Sequence, residues 1–306
     1  MTLPGLQKAL RTFWTERGTM SSSALLHLHE LMAFDRHQAE AAILQRVSSA
    51  YLGNHTALVR VLGRYKLYVD TRDRGFGSHV LLDGFWEIWL TLFCARNVKR
   101  GMTAIDVGAN FGYYSLLLAE LVGTKGELIA VEPNPHAADF LHRSIELNGL
   151  LGRTRIETLG LGATMSGEAC LYVPHSEPKN ALIVSEMFEP RAEDGVVIRV
   201  PVMTLDQLSA SCSRVDFIKI DAEGAEEVIL EGMAETIARH KPMIVVEFNP
   251  ARYADARGFL ERLGAIYGAL RRLDFSGEAV PITSEDLLSK YGADDSLLVL
   301  SQDKPA

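Results

Sequence analysis

From Gly101 onward the chain sets short, almost unbroken apolar runs against longer amphipathic ones. TAIDV (103–107) precedes FGYYSLLLAELVG, and ELIAVE (127–132) precedes PHAADFLHRSIELNG. RIETLGL, VDFIKID and MIVVEF are three further strand candidates. Such runs suit parallel strands covered on both faces, and strand–helix alternation implies βαβ units with right-handed crossovers. The expected fold is therefore α/β. AIYGALRRL and DSLLVLS read as a terminal strand pair with no helix between them. ACLYVP…VVIRVPVMTL breaks the rhythm and reads as an inserted β-hairpin with 174–195 as its polar tip.

Upstream, residues 1–55 read as a helical extension. Leu25, Leu28 and Met32, then Ala39, Ile43, Val47 and Tyr51, recur at steps of three and four. Ser21, Ser22 and Ser23 supply caps, and MTLPGLQKALRTFWTERG reads as an amphipathic surface helix. Residues 56–70 alternate around Gly63 as a β-hairpin. Residues 71–84, TRDRGFGSHVLLDG, form a polar loop leading to a helix beginning FWEIWL. The main domain then runs from 84 to 306.

With 306 residues, 47% of them hydrophobic, the chain can build a sizeable core without a disulfide or metal staple. Cys94, Cys170 and Cys212 are scattered, the pattern of reduced thiols in a cytoplasmic protein. A net charge of −8 speaks against nonspecific nucleic-acid binding. No apolar run approaches the roughly 18 residues of a membrane span, and the N-terminus lacks the apolar core of a secretory signal.

The chemistry concentrates in AIDVGANFGYYS, residues 104–115. A strand ends at Asp106–Val107, and Gly108 and Gly112 bracket a tight turn into a helix. Glycines there let the backbone approach a ligand closely. The D-x-G-x-x-x-G pattern is not the G-x-G-x-x-G of pyrophosphate sites. Asp106 pointing at the ligand would repel a pyrophosphate and suit the ammonium of an amino acid. Glu132 ends the next strand, 24 residues after Gly108, where an acid accepts hydrogen bonds from ribose hydroxyls. A nucleoside joined to an amino acid is S-adenosylmethionine.

AIDVGANFGYYS, followed by AVEPNP, VPVMTLDQL and VDFIKIDAEGAEEVILEGM…PMIVVE, resembles the FkbM family of S-adenosylmethionine-dependent methyltransferases over residues 84–300. The resemblance implies a class I methyltransferase, Rossmann-like fold. Its seven strands run in order 3-2-1-4-5-7-6, with strand 7 antiparallel. It also implies O-methylation of a hydroxyl on a sugar, polyketide or other small metabolite. By the same resemblance Asp106, Gly108, Asn110 and Gly112 form the cofactor loop, Glu132 holds the ribose, Gly162 lies near the adenine, and Glu87 matches an acid before the first strand. Asn180 resembles an asparagine over the acceptor pocket.

That strand order makes strands 1, 4 and 5 neighbours, so Asp106, Asp221 and Glu247 converge at one carboxyl edge. Lys219, inside a doubly covered strand, needs a carboxylate partner. Glu223, Glu226 and Glu227 open a helix, where acids favour the macrodipole. Asp221, Glu223 or Glu247 could take the acceptor's proton, with Lys219 stabilising the alkoxide. Alternatively Asp221, Glu247 and Asn249 bind a divalent cation such as Mg²⁺, a reading not favoured. His79 could reach the site from its loop, while His27 and His29 lie on different faces of a helix. The competing functions are a nicotinamide-dependent oxidoreductase and a cofactor-binding pseudoenzyme. The N-terminal helices would cap the site or build a homodimer interface.

Overall fold

The computed structural model describes residues 25–164, 167–291 and 294–306, and these form three sheets. The N-terminal surface helix and its serine caps lie outside the described residues. The first described helices are α1 (Leu28–Ala33) and α2 (Arg36–Leu44). Asp35 caps α2: Gln38 N–H donates to Asp35 Oδ1 (2.9 Å) and Asp35 N–H to Gln38 Oε1 (3.1 Å), a capping box. The His27 and His29 rings stack at 5.4 Å instead of facing apart, because His27 precedes the first helical residue.

Residues 49–53 correct the helical expectation. Ser49–Gly53 is a strand, β1, and it joins the expected hairpin of β2 (Thr56–Val61) and β3 (Tyr65–Asp70) as a three-stranded meander. Gly53, Asn54 and His55 all take positive φ, which turns β1 back on β2. The Val47–Tyr51 spacing imitated a helical stripe, but cross-strand pairing decided the conformation. Along the β3 edge, Asn148 and Ser144 side chains satisfy Lys66 and Tyr68 backbone groups at 2.7–3.1 Å. This docks the meander on the main domain and covers an exposed edge.

Residues 71–84 are not all loop, because Phe76–Asp83 forms a helix, α3. It is followed by α4 (Ile88–Asn97), β4 (Thr103–Val107), α5 (Tyr113–Val122), β5 (Glu127–Val131), α6 (Pro135–Leu147) and β6 (Thr154–Glu157). The insert is β7 (Gly160–Leu161), β8 (Gly167–Pro174), β9 (Leu182–Val184) and β10 (Gly195–Met203), a four-stranded sheet of its own built on the expected β8–β10 hairpin. Then come α7 (Leu205–Leu208), β11 (Phe217–Ile220), α8 (Glu226–Glu231), α9 (Ala234–His240), β12 (Met243–Phe248), α10 (Ala256–Tyr267), β13 (Arg271–Leu273), β14 (Ala279–Pro281), α11 (Ser284–Lys290) and β15 (Ser296–Leu300).

The main sheet runs β6-β5-β4-β11-β12-β15-β13-β14. Numbered as seven strands, its first seven members follow 3-2-1-4-5-7-6, and β15 pairs antiparallel with β12. Among the described residues the sheet has eight strands, because β14 adds an antiparallel edge beyond β13. The terminal pair also has β14 and α11 between its members, and AIY of AIYGALRRL finishes α10. Apolar side chains alternate between the faces. Ala104, Leu128, Phe217 and Val245 join one core cluster, and Ile105, Ile129, Ile218 and Ile244 the other. Among the described residues no helix is long and apolar enough to cross a membrane.

Candidate active site

A cleft opens at the carboxyl ends of β4, β5, β11 and β12, where open α/β sheets bind ligands. It encloses about 1040 Å³, counting the part open to solvent. Its floor follows from strand register. Lys219 and Asp106 are Cα partners on adjacent parallel strands, so their side chains emerge on the same face. Lys219 is 3% exposed; its ammonium donates to Asp221 Oδ2 (3.2 Å), lies 3.7 Å from Asp106 Oδ1, and sits 5.1 Å from the Tyr114 ring centroid. Burial alone would lower its pKa; Asp221, Asp106 and Glu87 outweigh that and hold it protonated.

Asp106 is fully buried and does not line the cleft. Ser115 Oγ donates to its Oδ2 at 2.6 Å, and burial pushes its pKa up against the pull of Lys219. The expectation that Asp106 points at a ligand ammonium is therefore corrected. Its side chain turns under the sheet edge to meet Lys219 and Ser115. Lys219 likewise lies behind Asp221, too deep to face an acceptor oxygen.

The loop above this pair is a cradle. Gly108 takes φ +72°, and a Cβ there would overlap the backbone carbonyl of Asp221. The DVGAN and KIDAEG segments thus touch at a point only glycine allows. Asn110, at φ +49°, donates its backbone N–H to Glu132 Oε2 at 2.7 Å, and Asn134 N–H donates to Glu132 Oε1 at 2.9 Å. Glu132 is 6% exposed yet lines the cleft. Burial lifts its pKa to about 7, with Asp106 adding and the two N–H donors opposing. Gly112 opens α5 at φ +99° and packs against Leu141, away from the cleft. Gly162 also stays outside the lining, its N–H donating to Met203 O at 3.0 Å; Leu159, Gly160 and Leu161 line the cleft in its stead.

Facing the cradle is a wall of carboxylates: Glu87, Asp221, Glu223 and Glu247. Glu87 takes φ +37°, an uncommon conformation for a non-glycine residue. It accepts a hydrogen bond from Tyr114 Oη at 3.2 Å. Burial, then Asp221, raises its pKa to about 7. Burial and Asp221 lift Glu247 to about 8, against Arg252, whose Nη1 donates to Glu247 Oε2 at 2.7 Å. Glu223, at φ +49°, is raised by burial and Asp221, and Arg252 Nη2 lies 3.8 Å from its Oε2.

The divalent-cation reading meets an occupied ligand set. Glu247 is bound to Arg252, while Asn249 accepts from Ala251 N–H (3.0 Å) and donates to Asp295 (2.8 Å). Among the described residues no cluster of His, Cys, Asp or Glu is placed to hold a metal ion.

Glu226 and Glu227 begin α8 as expected, but Glu226 has an additional task. Only 1% exposed, its Oε1 accepts the Ala222 and Gly224 N–H groups (2.9 and 3.2 Å), clamping the turn that carries Glu223. Glu227 pairs with Arg262 at 2.7 Å. The insert roofs the cleft through Leu171, Pro178, Lys179, Ala181 and Ile183. Asn180 is not in the lining; it donates to Glu177 at 2.8 Å. His79 lies on α3, not in a loop, pairing with Asp83 at 3.4 Å and leaving the cleft to Phe76 and Trp86. No described residue before Phe76 lines the cleft, so α1 and α2 do not cap it.

Sequence reasoning missed Lys179, Arg252, Tyr114, Phe76 and Trp86. Arg252 alone left a signal, an arginine five residues beyond a strand-ending acid.

Residues 106–276, more than half of the chain, match the model of the Methyltransferase FkbM domain. The chain belongs to this family. The FkbM match starts on Asp106 and takes in the cradle, the insert, Asp221 and Glu247, while Phe76, Trp86 and Glu87 fall outside it. A methyltransferase of Sordaria araneosa, sdnD, is 27% identical over 166 residues, covering 45% of this chain and 63% of that protein. A protein-L-isoaspartate O-methyltransferase of Methanothrix thermoacetophila is 27% identical over 111 residues, 36% of this chain and 52% of that one. The matched region thus spans less than two thirds of either relative. The crystal structure of an FkbM methyltransferase from Methylobacillus flagellatus aligns at 17% identity and a TM-score of 0.40, over 65% of this chain and 43% of the other.

Proposed function

We propose that this chain is an S-adenosylmethionine-dependent O-methyltransferase that modifies a hydroxyl of a small metabolite or sugar. The observation that carries the reading is the cradle: the glycine turn pressed against Asp221, beside a buried Glu132 whose two oxygens are each anchored by one backbone N–H. Each anchored oxygen keeps a lone pair for a ribose hydroxyl. Glu87, Asp221, Glu223 and Glu247 make the cleft strongly acidic. That field suits a ligand bearing a sulfonium and an ammonium and repels a pyrophosphate, which disfavours a nicotinamide dinucleotide.

S-adenosylmethionine, when bound, supplies an electrophilic methyl group. The chain's own residues position the acceptor and take its proton. Val131, Leu159, Leu161 and Ile229 offer an apolar wall for a nucleobase, and Phe76 and Trp86 a second wall for the acceptor. Holding the acceptor oxygen in line contributes much of the rate. Glu247, lifted to about 8 by burial and Asp221, and Glu223, also raised by burial, are the bases placed to take a hydroxyl proton. Asp221 stands between them and the Lys219 ammonium, which fixes its orientation.

Calorimetric titration with S-adenosylhomocysteine and with NADH tests the cofactor class, the first expected to bind and the second not. Labelled S-adenosylmethionine offered with a panel of hydroxylated metabolites tests turnover. Preferential binding of NADH would overturn the reading. Cofactor binding with no methyl transfer to any acceptor would favour a pseudoenzyme.

A further inference from the structure

Among the described residues, the charged ones lining the cleft are five acids, Glu87, Glu132, Asp221, Glu223 and Glu247, and one cation, Lys179. The two other cations nearby are already engaged. Lys219 is buried between Asp106 and Asp221, and Arg252 is shared among Glu247, Glu223 and Asp295. Lys179 has no carboxylate of a described residue within ion-pair distance, although it stands in an acidic cleft. It is carried by the 3₁₀ turn Pro178–Asn180 of the insert. Its stem is laid across Gly75, where an added Cβ would come within 2.5 Å of the lysine Cε. Gly75 thus leaves room for the stem and sets where the ammonium can reach. Gly75 immediately precedes Phe76, so the stem crosses into the cleft beside the Phe76 side of its lining.

Part of the apolar lining continues the two core clusters. Val131, Leu159, Leu161 and Ile229 continue one, while Phe76 and Trp86 continue the other. Lys179, whose stem crosses Gly75 next to Phe76, therefore belongs with Phe76 and Trp86, the wall assigned above to the acceptor. We propose that the acceptor carries an anionic group, a carboxylate or a phosphate, that pairs with the Lys179 ammonium, so that the substrates are acidic hydroxylated compounds such as sugar acids and sugar phosphates. The proposal deepens the methyltransferase reading and rests on it. Asp221, and the other four acids as they ionise, repel an anion from the cleft except in the neighbourhood of Lys179. A single cation in that field fixes which end of the acceptor enters first, and so which hydroxyl is presented.

The test uses the full chain saturated with S-adenosylhomocysteine, titrated with glucuronate, glucose 6-phosphate and glucose. Glucuronate, glucose 6-phosphate or both should bind measurably tighter than glucose, and which one binds identifies the anion. Lys179→Ala should weaken that binding about ten- to a hundredfold, the range for loss of a charge-assisted hydrogen bond. Lys179→Arg should retain part of it, and S-adenosylhomocysteine affinity should stay within about twofold in both variants. The proposal is overturned if neither anion binds better than glucose, or if Lys179→Ala binds them unchanged. It is also overturned if Lys179→Ala weakens S-adenosylhomocysteine, which would assign the lysine to the cofactor. Failure of the unmodified protein to bind S-adenosylhomocysteine would instead strike the methyltransferase reading.

Discussion

The backbone carbonyl of Asp221 occupies the space that a Cβ on Gly108 would need. Through this contact the glycine turn after β4 and the acidic segment after β11, more than a hundred residues apart in the chain, form one surface. The Asp221 N–H also donates to Val107 O at 3.2 Å, so the two strand ends are hydrogen-bonded just beneath the contact.

Gly108→Ala should therefore separate the two segments. The added methyl meets backbone that cannot rotate aside, and φ +72° is itself unfavourable for alanine. A destabilisation of about 2–4 kcal/mol in urea unfolding is expected, with S-adenosylhomocysteine binding lost in calorimetry. A variant that binds normally would refute the cradle.

Lys219→Met leaves the fully buried Asp106 without its cation. Breaking a buried pair by removing one partner costs about 3–5 kcal/mol, so a fall of that size in unfolding free energy is expected. The double variant Lys219→Met, Asp106→Asn should recover part of the loss. If the double variant were as unstable as the single one, the Asp106–Lys219 pair would not be what holds this floor together.

Glu132→Gln replaces one hydrogen-bond acceptor by an amide donor facing a backbone N–H. Asn110 and Asn134 both need an acceptor there. A buried donor left unpaired costs about 1–3 kcal/mol. Unfolding should show that loss, and S-adenosylhomocysteine affinity should drop about ten- to a hundredfold. Unchanged affinity would remove Glu132 from the cofactor site.

Stability should fall as pH rises from 5.5 to 8.5. In the folded chain Glu87 and Glu132 titrate at about 7 and Glu247 at about 8, all above the ordinary 4.5. Between those values the unfolded chain has released protons that the folded chain retains, so raising pH favours unfolding. The contribution is complete below about 4.5 and is lost through 7 to 8. Asp70, lowered to about 2 by Arg72 and His136 against its burial, acts only in strong acid and leaves this window untouched. Urea midpoints at the two pH values check the sign, and Glu247→Gln should flatten the slope. A midpoint that rises with pH would contradict the burial of these acids.

Much of the architecture was legible because it rests on local periodicity. TAIDV, ELIAVE, VDFIKID and MIVVEF became β4, β5, β11 and β12 with the expected parallel neighbours. Each is too apolar to lie anywhere but between two covered faces. SSAYLG was misread because Val47 and Tyr51 keep a helical interval, and only pairing with Thr56–Val61 makes Ser49–Gly53 a strand. The α3 helix and the β14 edge were missed for a related reason: both are short, and long-range contacts outweigh a few residues of propensity.

The sequence alone determined that acids gather at one sheet edge, since Asp106, Glu132, Asp221 and Glu247 end strands or follow them directly. Which of those acids face a ligand was decided by the tertiary structure. Register sends Asp106 beneath the edge to Lys219 and Ser115, while Glu132 stays in the cleft because two backbone N–H groups, one from the glycine turn after β4 and one from its own loop, hold it there. Lys179 carries no local pattern, and Arg252 only its five-residue spacing from Glu247. They come to the site only because an insert and a 3₁₀ turn fold over it, and the direction in which a side chain's charge points is fixed by what surrounds it in space.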